Sequence, residues 1–195
     1  MTTATLPILE AVVVVVAAPI AGVALCAHRH RVASRAVGVF GFLLFASAVW
    51  TMSLWGWSAA ALRIVCLSHA MLAITGLAFA ALGAWCRAAL RDPLDAAAVS
   101  TGAALVAAFG LFAAGPAIAD LPTGIINAAL SSNPIVSTAS AAGVDLLRTD
   151  LLYRLSPLAH RRFEYPSWYS GLALYATLLM IFAAGTTRSL RKGWS

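Results

Sequence analysis

Charge is scarce in this chain of 195 residues: Asp, Glu, Lys and Arg together make up 10%, against 62% hydrophobic residues. A soluble domain carries about a quarter charged residues, and disorder needs low hydrophobicity with high charge, so both classes are excluded. Cysteine is limited to Cys26, Cys66 and Cys86, with no C-x-x-C spacing. That excludes a disulfide scaffold and the common thiol metal and redox motifs. No phosphate-binding Gly-rich loop, H-E-x-x-H or G-x-S-x-G sequence occurs; any ATP used by this protein is therefore bound by another chain. No basic region precedes the first apolar run, and Glu10 interrupts its start, so a retained span is expected there rather than a cleaved signal peptide.

What remains is apolar sequence in long blocks. A bilayer-crossing helix needs about 20 apolar residues, and five stretches meet that length: 7–27, 36–56, 64–85, 96–119 and 168–187. They lack the two-residue alternation of transmembrane strands, and helices satisfy their backbone groups internally, as lipid demands. The expected fold class is all-α: a polytopic bundle of five spans forming a single membrane domain, with a further outer helical segment over 121–167.

The net charge of +6 is then a matter of membrane orientation, and nucleic acid is not an expected partner. Arg29, Arg31 and Arg35 follow the first span, Arg87 and Arg91 the third, and Arg188, Arg191 and Lys192 the fifth. Basic residues in short connections mark the cytoplasmic side, which predicts the N-terminus outside and the C-terminus in the cytoplasm, in a membrane of the bacterial inner type. Arg148, Arg154, Arg161 and Arg162 lie in the long segment, where charge has little say. Trp55, Trp57 and Trp168 would anchor the outer interface and Trp85 the inner one.

Helices already in hydrocarbon associate through small residues, so Gly38 with Gly41, Gly76 with Ala80, and Gly110 with Ala114 are expected close-approach surfaces. In the long segment, Asn133-Pro134 has the form of a helix start: a capping side chain followed by proline at the first helical position. The spacing of Val144, Leu147, Leu151 and Leu155 predicts that this helix runs to about Leu155, with Asp145–Arg148 and Asp150–Arg154 pairs on its other side. Two placements suit it: flat on the outer interface, or a broken re-entrant pair with Ile125–Leu130, covered by other helices.

Few residues carry chemistry. His69 is the one histidine inside a span, and an intramembrane ionisable group is a functional candidate; its bland role is a hydrogen bond to Ser68, Thr75 or another span. Glu10 is a second candidate, although its position near the end of the first span favours solvation at the interface. With no second buried imidazole, haem is not expected, and His28 with His30 beside three arginines makes a poor metal site. No cofactor is expected. Arg161, Arg162 and Glu164 form an outer-interface group suited to lipid headgroups; an enzyme acting on lipid would need Glu164 as its acid or base, and Glu164→Gln would test it.

The order of elements, the Ala-Leu-Ser-Ser-Asn-Pro stretch at Ala129–Pro134, and a last span ending in Thr187-Arg188-Ser189-Leu190-Arg191-Lys192 resemble the membrane domain of the type-two ATP-binding-cassette exporter permeases. The likeness is one of topology over most of the chain and of sequence character over its last third. It implies an exporter subunit energised by a separate ATPase chain, dimerisation, and an ATPase-coupling connection at His28, Arg29, His30 and Arg31. Those residues are equally explained as positive-inside anchors. This chain departs from the family in having no counterpart of its first span and preceding interfacial helix. The alternative is a structural or accessory subunit of a larger membrane complex, suited by abundant alanine and by the absence of a legible polar pathway through the spans.

Overall fold

A computed structural model describes residues 6–27, 30–90, 92–114, 117, 121–146 and 165–192; for 27, 30–37, 191 and 192 it describes the helical backbone alone. Among the described residues there are seven helices and no strand: α1 (Leu6–Ala27), α2 (His30–Trp55), α3 (Ala59–Ala89), α4 (Pro93–Ala113), α5 (Thr123–Ser132), α6 (Pro134–Ala141) and α7 (Trp168–Lys192). α1, α2, α3, α4 and α7 are each long and apolar enough to cross a bilayer. The protein is an all-α integral membrane bundle.

Local chemistry sets the ends of these helices. Gly56, at φ 81°, takes a left-handed conformation that stops α2, and Ser58 caps α3 through a bond from the Ala61 N–H at 3.1 Å. The third helix thus begins five residues before the apolar run suggests. Asp92 caps α4, accepting from Leu94 N and Asp95 N, with Pro93 in the first turn. α4 ends at Ala113, with Ala114 out of helical geometry; of the expected stretch to Ala119, residues 115, 116, 118 and 119 lie outside the described residues.

α3 is the hub: half of its apolar window is buried, against 11% for α2 and α7. It packs on α1 and α7 most extensively and also meets α2, α4 and α6. The α1–α3 crossing is set by two glycines facing opposite backbones. A Cβ on Gly22 would collide with the Ala80 carbonyl, and one on Gly83 with the Pro19 carbonyl. Gly76 lies close to Phe40 and Val14, so the Gly76–Ala80 face is a genuine contact surface. Among the described residues Gly38 and Gly41 face open space and Gly110 meets only Val106 of its own helix, so neither expected pair makes a glycine contact with another helix there. Along the α3–α7 seam, Phe79 stands edge-on to Tyr175 at 5.8 Å and Trp85 stacks on Phe182 at 5.6 Å.

α5 and α6 form a helix pair broken at Asn133. α6 is enclosed by α1, α3, α4 and α7, with Pro134–Ala139 and Ala141 buried. A helix lying on an interface would leave one side uncovered, so α6 has the covered form of the broken-pair expectation. α5, with only Ile126 and Leu130 buried, is its peripheral half. The break is fully bonded. Asn133 Oδ1 accepts from Ile135 N and Val136 N at 2.9 and 3.0 Å, and its Nδ2 donates to Ala108 O of α4 at 2.7 Å. The carbonyls freed at the end of α5 are taken by Ser137, donating to Ser131 O, and Tyr175, donating to Ser132 O.

The helix after Pro134 ends at Ala141, well short of Leu155. Val144 N donates to Ala139 O at 2.8 Å and Gly143 N to Ser140 O at 3.0 Å, with Gly143 at φ 70°. This is the paired-bond helix stop that a left-handed glycine permits. The spacing of Val144 with Leu147 continued a pattern past a residue that ends it. Residues 147–164, including the expected Asp150–Arg154 pair and Arg148, lie outside the described residues. Beyond them Ser140 Oγ donates to Pro166 O at 2.7 Å, and the Leu146 N–H donates to Tyr165 Oη at 3.1 Å. Burial pushes the Tyr165 phenol up to about 12; Asp145 adds to the rise, and the bond to Leu146 opposes it.

Candidate functional site

Glu10 and His69, set apart in sequence as two separate intramembrane candidates, come together. Antiparallel packing of α1, α2 and α3 brings the first turns of α1, the last turns of α2 and the early part of α3 to one end of the bundle. There Ser47 of α2 joins them. Ser47 Oγ donates a short hydrogen bond to Glu10 Oε1 and lies 3.1 Å from His69 Nε2. His69 Nε2 faces Glu10 Oε2 at 3.4 Å, and Oε2 is covered and accepts no hydrogen bond. Glu10 is therefore turned inward and partnered, not solvated at an interface as its position in the run suggests. His69 is 8% exposed; Ser68 stands 3.4 Å from its Nδ1, while Thr75, the other neighbour proposed for it, makes no bond to it.

Hydrogen-bond chemistry restricts where protons sit. His69 Nδ1 is 2.9 Å from Val65 O one turn back, and a carbonyl only accepts, so Nδ1 carries a hydrogen. Ser47 has a single O–H, committed to Glu10, and its oxygen faces His69 Nε2 at 3.1 Å. The three side chains form one Glu–Ser–His cluster joined across α1, α2 and α3.

The same geometry argues against nucleophilic catalysis. In a hydrolytic triad the acid orients the histidine and the histidine takes the serine proton; here Val65 O orients His69 and Ser47 gives its hydrogen to Glu10. Ser47 lies within α2, whose backbone N–H groups are committed to the helix, so α2 itself offers no oxyanion donor beside it. No group of three or more His, Cys, Asp or Glu side chains suited to a metal converges among the described residues.

Two apolar cavities flank the cluster. One, of about 450 Å³ between α1 and α2, has Glu10 and Ser47 as its polar lining and is otherwise walled by aliphatic side chains and Phe40. The other, of about 600 Å³ between α2 and α3, reaches His69 and Cys66. α2 divides them, contacting its neighbours through the stripe Phe40, Leu44, Ser47, Thr51 and Met52 and exposing Phe42, Phe45 and Trp50 on the other side. Ser47 escaped the sequence reading because serine in a span is ordinary. Its signal was its place on that one three-and-four-spaced stripe.

The other sequence candidates are not brought to this site by anything described. His28 and Arg29 lie outside the described residues, as do Arg161, Arg162 and Glu164; His30 and Arg31 open α2, described as helical backbone alone. Comparison with family models, with curated proteins and with solved structures finds no match to this chain.

Proposed function

We propose that this protein is a permease-like membrane subunit of an exporter, offering an amphipathic cargo a path at the α1–α2–α3 end of the bundle, and that a separate ATPase chain energises it. The observation that carries the reading is the Glu10–Ser47–His69 cluster at the border of two apolar cavities. An ionisable side chain in a span is expensive, by about 2.5–3.5 kcal/mol on insertion scales. Two of them, joined across helices and opening onto cavities, suit a site that meets cargo better than an inert contact. This also supplies the polar intramembrane feature that the sequence alone did not reveal.

Further support comes from the broken α5–α6 pair before the last span, which fits the permease resemblance, and from the lack of any phosphate-binding motif, which leaves ATP to a partner. In this reading the arginine-bearing connections face the cytoplasm of a bacterial inner membrane, the N-terminus lies outside, and His28, Arg29, His30 and Arg31 form the surface toward the ATPase. The chain acts as a dimer or within a hetero-oligomer.

A second reading, an accessory subunit of a larger membrane complex, is favoured by α2, whose Phe42, Phe45 and Trp50 face outward. Purification at native expression in mild detergent, with mass spectrometry of the copurifying chains, separates the two. A stoichiometric ATP-binding-cassette ATPase, lost on Arg29→Glu with Arg31→Glu, is the expected result; a stoichiometric complex without an ATPase would replace the permease reading with the accessory one.

A further inference from the structure

We infer that the cavity between α2 and α3 seats one acyl chain of an anionic phospholipid, with the lipid phosphate held by Arg63 at the cavity's mouth. Such a site suits either reading above and rests on neither. The tail follows from the walls. Met52 and Val65 are buried and close the back, while Phe45, Trp57, Leu62 and Cys66 line the cavity and are exposed. It therefore opens sideways, where lipid would lie. His69 reaches the lining with both ring nitrogens already engaged, Nδ1 at Val65 O and Nε2 at Ser47, so it adds wall rather than a place for a polar head.

The dimensions suit one chain of one leaflet. From Leu62 to Ala73, the part of α3 that lines the cavity, the helix rises about 17 Å, and half of a bilayer's hydrocarbon core is about 15 Å. The volume of about 600 Å³ falls in the range of small-molecule sites, about 300–1,000 Å³. Trp57, just before α3 begins, sets the mouth at the interfacial level that indoles favour.

The head follows from charge. Among the described residues Arg63 is the one Arg or Lys at this end of the bundle, and it is exposed, its side chain making no ion pair or hydrogen bond there. It precedes Cys66 by one turn, on the exposed flank of the cavity. A helical side chain leans toward the start of its helix, which carries the guanidinium toward the mouth and the headgroup layer. Guanidinium stays charged at any working pH and pairs with phosphate through two parallel N–H bonds. An amine head would meet a like charge, and a fatty alcohol would bring none. A choline head carries its own cation beside its phosphate and gains less. The α1–α2 cavity is comparably apolar, but no Arg or Lys is described at its Leu6 end; hydrocarbon seated there has no such partner for its head.

The test uses the purified full chain in maltoside micelles, with the rate of Cys66 alkylation by N-ethylmaleimide read by peptide mass spectrometry as lipid is added. Palmitoyl-lysophosphatidylglycerol should slow that alkylation saturably and at least fivefold, leaving Cys26 unchanged. Palmitoyl-lysophosphatidylcholine should need at least tenfold more lipid for the same protection, and glycerol phosphate, a head without a tail, should give none. Arg63→Gln should raise the half-protecting concentration of the glycerol lipid at least tenfold and remove its advantage over the choline lipid, while Arg63→Lys should keep part of that advantage. Gly41→Trp starts from a position where a Cβ meets nothing and fills the lower cavity; it should also raise the half-protecting concentration at least tenfold, and it decides the matter if Arg63→Gln fails to fold. Val13→Trp, in the α1–α2 cavity, should leave protection as it is. Protection unchanged by Arg63→Gln or by Gly41→Trp, equal protection by the choline lipid, protection by glycerol phosphate, loss of protection through Val13→Trp, or no saturable protection would overturn the inference.

Discussion

Asn133 holds the break between α5 and α6 to α4, and its substitution should show how much the broken pair depends on one side chain. It is fully buried and makes three hydrogen bonds, two as the cap of α6 and one to Ala108 O. Ala108 lies within α4, whose helical ladder gives its carbonyl another partner, so losing the Nδ2 bond alone removes about 0.5–1.5 kcal/mol. The cap is different. Replacing a capping Asn by Ala costs about 0.5–2 kcal/mol, and an N–H left unbonded in a buried site costs about 1–3 kcal/mol. Because these overlap, Asn133→Ala should lose about 2–4 kcal/mol. Asn133→Ser keeps an oxygen able to cap while giving up the reach to α4, and should lose about 1 kcal/mol. Reversible unfolding in mixed micelles, followed by circular dichroism against the mole fraction of dodecyl sulfate, measures both. An Ala variant within 0.5 kcal/mol of the parent, or a Ser variant as damaged as the Ala one, would refute the reasoning.

Three other perturbations have outcomes set by named contacts. Gly83→Ala drives a methyl into the Pro19 carbonyl and should destabilise by about 1–3 kcal/mol, whereas Gly41→Ala, with nothing within 4 Å, should stay within about 0.5 kcal/mol; parallel thermal melts in detergent decide, and equal effects would contradict the α1–α3 crossing described. Ser47→Ala removes the donor to Glu10 and should cost about 1–3 kcal/mol, while exposed Cys66 beside the second cavity is alkylated faster by a membrane-permeant maleimide as α2 loosens; an unchanged alkylation rate would show that Ser47 does not hold α2. Tyr165 stays protonated in the folded state up to about pH 12, whereas an unfolded tyrosine ionises near pH 10. Its contribution is complete below about pH 10 and is lost as pH rises toward about 12, by at most about 2–3 kcal/mol. Tyr165→Phe should flatten that alkaline fall, and identical alkaline limbs in pH-dependent melts would count against it.

The five membrane-crossing helices were legible because apolar length is a property of each segment alone. Helix ends were less so, for a physical reason visible at α6. Val144, Leu147 and Leu151 keep a helical spacing, yet Gly143 offers a left-handed stop that releases the chain after Ala141. A periodic pattern is evidence for a helix only while every intervening residue can remain helical. Close approach was harder still. Gly22 stands four residues after Ala18, a small-residue spacing common in so alanine-rich a chain; Gly22 and Gly83 matter because the other helix presents a carbonyl to each, a relation between segments that no single segment contains.

The candidate site shows the same division most sharply. Glu10 near a span end reads as solvated, His69 as a lone histidine with local hydrogen bonds, and Ser47 as an unremarked serine. Each bland reading is reasonable for the residue alone and fails for the three together. A membrane does supply a constraint that links them. An ionisable group buried among apolar helices must be partnered or neutral, so Glu10 and His69 each predicted a partner somewhere in the bundle. The contacting stripe of α2 holds few polar residues; Ser47 and Thr51 lie on it one turn apart, and Thr51 is occupied by donating to the Ser47 carbonyl. Ser47 is then the α2 side chain left to meet both. The requirement that charge be satisfied in lipid, applied to pairs of spans instead of to each span, is what turns two isolated candidates and a serine into one joined cluster.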